Sequence, residues 1–183
     1  MRNFILGILA AFLLLGLGGL AIAGFGLMPT NADSSPPAVE LRVATSALHT
    51  AMSRHAPRLS NPVLATDENL IAGMKIYTIN CAVCHGTLDN QRSLLEHSFY
   101  PPVPQLIVDP IDDPQWHIFY AVRNGIRYTG MPSWRHALSE QDMWKVTGFI
   151  SQVETLPPAV QDYWVQSYGV RPPGATLRPS QAQ

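Results

Sequence analysis

Apolar and polar positions divide this chain into one unbroken apolar run and several shorter periodic segments. From Phe4 to Met28 there is no charged residue and few polar ones. At about 1.5 Å of rise per residue, a helix of that length crosses the roughly 30 Å hydrocarbon core of a bilayer. The run is predicted as one N-terminal transmembrane helix. A short Pro- and Ser-rich linker follows. Then Val39, Val43, Ala47 and Ala51 recur every four residues, with Leu48 and Met52 beside them. That stripe predicts an amphipathic helix over Ala38–Ala56, ended by Pro57. His49 and His55 lie on it six residues apart, do not share a face, and read as solvated or packing residues.

Three further helices carry start signals. Thr66 is an N-cap before Asp67 and Glu68, acids that the helix dipole favours in a first turn; a helix is predicted over 67–80. Asp113-Pro114 supplies an acidic cap and a proline at the first helical position, and Asn124-Gly125 stops that helix with a residue suited to a left-handed cap. Ser139 with Asp142 forms a variant capping box opening a helix over about 140–154, whose packing surface includes Met143, Trp144, Val146, Phe149 and Ile150. Leu156-Pro157-Pro158 ends it. Beyond that point periodicity is weak and prolines recur, so 159–183 reads as a Pro-rich C-terminal tail, with Tyr163, Trp164 and Tyr168 packing part of it onto the domain. The fold class is all-α. The expected divisions are 1–28, a transmembrane anchor or signal; 29–63, a linker with an amphipathic helix; 64–158, a small helical domain; and the tail.

The flanks of the apolar run bear on compartment. Arg2 precedes it and Asp33 follows, which by the positive-inside rule favours a cytoplasmic N-terminus and an exported C-terminal part. Ala21-Ile22-Ala23 also fits a signal-peptide cleavage pattern. An uncleaved anchor is the preferred reading, because the apolar run continues past that tripeptide and is preceded by little charge. Either way the remaining chain is exported, to the periplasmic side of the inner membrane. Charge adds a negative result. From 64 to 158 there are six basic residues against ten acidic ones, a net charge of −4. No basic, lysine-ringed docking face is indicated, and no nucleic-acid binding.

The two cysteines of the chain stand together in Cys81-Ala82-Val83-Cys84-His85. C-x-x-C alone also serves redox dithiols and zinc knuckles. With histidine immediately after, it reads as a covalent attachment site for c-type haem. Each thiol forms a thioether to one haem vinyl group, and His85 is placed to bind iron. A metal-bound histidine usually passes its second N–H to an acceptor. The carbonyls of Pro101, Pro102 and Pro104 are candidates, with a rigid turn making no such bond as the alternative. The motif occurs once, so one haem is expected. Sixth-ligand candidates are Met131, Met143, Met74, Met52, His97, His117 and His136. Met131 lies in a loop between Gly130 and Pro132 and is preferred. A soft, neutral thioether opposite histidine fills the coordination sphere and raises the potential.

Residues from about 66 to 156 resemble a class I monohaem cytochrome c domain. The resemblance rests on Gly73 and Tyr77, Cys81-Ala82-Val83-Cys84-His85-Gly86, Arg123-Asn124-Gly125, Gly130-Met131-Pro132-Ser133-Trp134, and the aromatic last helix. It implies a small helical domain around covalent haem, in which the Gly73 helix crosses the Trp144 helix and Met131 is the distal ligand. It does not extend to the apolar run, the 38–56 helix or the tail. The function implied is electron transfer by a membrane-tethered cytochrome, not an enzyme. It would act as a carrier, or as the cytochrome subunit of a respiratory or dehydrogenase complex, with redox proteins as donor and acceptor. The rival reading is a haem enzyme or gas sensor with an open distal site, in which His97, His117 or His136 serves as an acid–base group.

Overall fold

A computed structural model of the chain describes residues 1–175. Among these there are seven helices and no strand: α1 (Arg2–Gly24), α2 (Ala38–His55), α3 (Asp67–Asn80), α4 (Ala82–His85), α5 (Gln115–Asn124), α6 (Glu140–Ser151) and α7 (Pro158–Tyr168). The chain divides into two compact units, residues 1–31 and 32–183. The first holds α1, a helix of 23 residues that is long and apolar enough to cross a membrane.

The second unit is built on the crossing of α3 and α6. Gly73 makes the crossing possible. A methyl group placed there would run into the Lys145 carbonyl oxygen, and would sit 2.7 Å from the Lys145 carbonyl carbon and 3.0 Å from Phe149 Cβ. With hydrogen in place of that methyl, the backbones approach closely. Leu70, Met74 and Tyr77 of α3 and Met143, Trp144, Val146, Phe149 and Ile150 of α6 form one buried cluster. α5 packs on α6 through Phe119, whose ring stacks on Trp144 with centroids 3.7 Å apart. The capping expectations hold for two helices. Thr66 Oγ1 accepts from the Asn69 N–H at 3.3 Å, and Ser139 Oγ accepts from the Asp142 N–H at 3.1 Å while donating to its carboxylate at 2.7 Å.

Two local expectations need correction. Asp113 does not cap α5, which starts at Gln115 with Pro114 as the flanking residue. Its carboxylate is engaged instead by His117, 3.2 Å away and one turn on. The segment after Pro157 is not aperiodic, because Pro158 opens α7. Proline lacks an N–H that the first turn does not use, so it starts a helix as readily as it stops one. Val160 and Trp164 of α7 are fully buried, Trp164 lies against Phe149, and Tyr168 hydroxyl is 3.0 Å from Thr78 Oγ1 on α3. Gly169 closes α7 with φ 74° and ψ −3°, the left-handed cap. The last part of the expected 159–183 tail, residues 176–183, lies outside the described residues.

Candidate functional site

The cysteine–histidine motif sits where α3 ends and α4 turns. Cys81 closes α3, its N–H bonded to the Tyr77 carbonyl at 2.8 Å. Its own carbonyl accepts from the N–H groups of Cys84, at 3.1 Å, and His85, at 2.9 Å. The turn so formed carries both thiols and the imidazole within five residues, Cys81 to His85. Both cysteines are free thiols, Cys81 buried and Cys84 partly so.

Buried hydrogen bonds fix the turn from below. Tyr77 hydroxyl lies 2.9 Å from the His85 carbonyl and 2.8 Å from the Gly86 carbonyl. Gly86 has φ 91°, a conformation that suits glycine and turns the chain out of α4. Gln105, only 2% exposed, donates from its amide to the carbonyls of Cys84 at 3.1 Å and Val103 at 2.9 Å, and accepts from the Ser93 N–H at 2.7 Å. The Leu106 N–H bonds the His85 carbonyl at 2.9 Å. Sequence reasoning missed Gln105 because a glutamine in a Pro-rich loop carries no signal of burial.

His85 is oriented from the side. Its Nδ1 lies 2.9 Å from the Pro104 carbonyl oxygen, which accepts the Nδ1 proton. Of the three prolines considered, Pro104 is the one engaged. Its bond leaves Nε2 with a lone pair free for a metal. Burial holds the imidazole below its ordinary pKa, and the hydrogen bond to Pro104 only partly offsets this. The ring is therefore neutral, as a ligand must be. The Cys81 thiol is pushed up to about 12, first by burial and then by the nearby Cys84. A redox dithiol needs the opposite shift, so this environment disfavours dithiol exchange.

Met131 occupies a tightly built loop. Its carbonyl accepts from the Ile126 N–H at 3.1 Å, its N–H bonds Thr129 Oγ1 at 3.1 Å, and Trp134 N–H reaches back to the Val122 carbonyl at 3.1 Å. Gly125 turns with φ 69° beneath the Met131 carbonyl, and the Phe99 ring lies so close to Gly130 that a methyl group there would have to displace it. Met131 is partly buried against the same cluster that contains Cys81 and Ala82. The other candidates lie elsewhere. Met74 and Met143 are core residues, His97 and His136 are exposed, and His117 faces Asp113 and Ser53.

Residues 68–150 match the family model described as cytochrome c oxidase, cbb3-type, subunit III. That stretch is a cytochrome c domain. Such a domain implies covalently bound haem c and electron transfer as its general chemistry. The donor set fits the group: two unpaired thiols within one turn, a neutral imidazole with a fixed tautomer, and a thioether packed against the same cluster. Among solved structures, a chain of the Kuenenia stuttgartiensis reducing HAO-like protein complex Kustc0457/Kustc0458 is similar at 21% identity and a TM-score of 0.41, covering 51% of this chain and 48% of that one. The present chain thus spans about half the length of that relative. Comparison with curated proteins gives no match.

Proposed function

We propose that the chain is a membrane-tethered electron-transfer protein in which Cys81 and Cys84 carry one haem c, with His85 and Met131 as axial ligands. The observation that carries this is the His85 geometry: a neutral imidazole, its Nδ1 proton held by the Pro104 carbonyl 2.9 Å away, beside two free thiols. When bound, haem c supplies a one-electron Fe(III)/Fe(II) couple. The chain's own residues hold the geometry of the site. Tyr77 and Gln105 lock the backbone of the motif, Pro104 fixes the tautomer, and hydrogen bonds across the 125–134 loop hold the Met131 backbone. A site so held changes little between redox states, as a carrier requires. The protein acts as a carrier or as the cytochrome subunit of a respiratory or dehydrogenase complex, exchanging electrons with protein partners, and is not itself an enzyme. Its haem domain lies on the exported side of the inner membrane.

The test is spectroscopic. Full-length protein from a host competent in cytochrome c maturation is expected to stain for covalent haem and to be low-spin, with the long-wavelength ferric band of sulfur ligation. Met131→Ala should abolish that band and make the iron reactive to carbon monoxide. A wild type that is high-spin and binds carbon monoxide readily would overturn the electron-carrier reading in favour of an open-site enzyme or sensor. The double variant Cys81→Ala/Cys84→Ala should fail to fold stably, because a domain of this size has little core without the group.

A further inference from the structure

The helix that the cytochrome resemblance leaves out, α2, has no buried residue. It still meets the domain at specific points. Glu40 accepts from Tyr100 hydroxyl at 2.6 Å near its start. Near its end, two of its side chains converge on the start of α5 and on Asp113 just before it. Ser53 Oγ lies 3.3 Å from His117 Nε2, and His49 Nδ1 lies 3.9 Å from Asp113 Oδ1. The same carboxylate oxygen is 3.2 Å from His117 Nδ1. Donor atoms of His49, Asp113 and His117 all fall within 4.8 Å of one another.

We propose that His49, Asp113 and His117 bind a divalent transition metal of the zinc class and that the metal clips α2 onto α5. Two imidazoles and a carboxylate are a donor set that Zn²⁺ takes readily, with water in the fourth position. Bond lengths of about 2.0–2.2 Å place neighbouring donors of a tetrahedral site about 3.3 Å apart. The Asp113–His117 pair, at 3.2 Å, already has that spacing. His49 needs to approach Asp113 by about half an ångström and His117 by up to about 1.5 Å, and a rotation of its half-exposed side chain on an exposed helix supplies that movement. Ser53 has the place of an outer partner. With the proton on Nε2, His117 donates to Ser53 Oγ and turns the Nδ1 lone pair toward Asp113 and His49. His117 itself is only 6% exposed, so one wall of the site is dry and pre-set. A histidine–aspartate pair four residues apart at a helix start is common and needs no metal. The third donor, arriving from a separate helix, is what makes this a ligand set. In sequence His49 looked solvated, because its partners lie far along the chain.

The experiment uses full-length haem-loaded protein in detergent, freed of metal by a chelator and titrated with zinc chloride against a fluorescent zinc indicator. One zinc per chain is expected. His49→Ala and Asp113→Asn should each weaken binding about tenfold or more, while His136→Ala, at an exposed histidine, should not. A second readout follows the clip itself. Zinc should slow tryptic cleavage after Arg54 and Arg58 in the wild type and not in His49→Ala. The haem spectrum should stay unchanged throughout, which separates this site from His85. Equal zinc affinity in wild type and His49→Ala, no binding below about 100 μM, or cleavage rates indifferent to zinc would each overturn the proposal and leave a plain His117–Asp113 ion pair.

Discussion

At the scale of single residues, the most consequential group outside the proposed ligand set is Tyr77. Its hydroxyl bonds two carbonyls of the motif, those of His85 and Gly86. The His85 carbonyl has a second donor in the Leu106 N–H. Tyr77→Phe therefore strands chiefly the Gly86 carbonyl, at a cost of about 1–3 kcal/mol, to be read from denaturant unfolding of the haem-loaded protein. The same residue sets a pH dependence. Burial raises its pKa well above the ordinary 10.0. Above pH 10 the unfolded chain loses a proton that the folded one keeps, so stability falls as pH rises. The slope approaches about 1.4 kcal/mol per pH unit for one group. Tyr77→Phe should flatten that part of the stability profile; an unchanged slope would show that Tyr77 ionises freely in the folded state.

Among the elements, the α3–α6 crossing decides whether the domain forms. Gly73→Ala puts a methyl group against the Lys145 carbonyl, where backbone must move to relieve it. Overpacking of this kind costs about 1–3 kcal/mol or more, and thermal unfolding of Gly73→Ala should show a large drop in midpoint with lower yield of loaded protein. The crossing was legible as a resemblance, from Gly73, Tyr77 and the aromatic last helix. The caps at Thr66 and Ser139 were legible from residue chemistry, since a hydroxyl before acids has few other uses. What escaped sequence reading had a common cause. Asp113 carries the residue type of a cap but bonds His117; Pro157-Pro158 carries the signature of a stop but starts α7; Gln105 looks exposed until distant segments close on it. In each case the local signal was ambiguous and a tertiary contact chose between its two meanings. Trp164, with its indole fully buried against Phe149, is such a contact for α7.

For the molecule as a whole, the mode of anchoring turns on whether α1 stays attached. The proposed function needs a tether, and α1 is long and apolar enough to provide one. A signal sequence passes the same physical test, since both must enter the bilayer as an apolar helix. The two differ in what remains. A retained α1 keeps its exposed leucines and phenylalanines in lipid, and the mature protein partitions with membranes and needs detergent. Cleavage after Ala23 removes them, and the described second unit is left with a surface in which no helix exceeds 18 residues or is comparably apolar. Intact mass of the purified haem-loaded protein reads this directly. The expected result is a mass that includes residues 1–28, recovery in the membrane fraction, and resistance to extraction by high salt. Replacing residues 1–28 with a cleavable signal should then release a soluble domain with an unchanged haem spectrum, because the packed core and the Cys81–His85 motif lie wholly in the second unit. A mature mass beginning at Gly24 in the soluble fraction would make the protein a diffusing carrier, with the haem site unaltered and the tether lost.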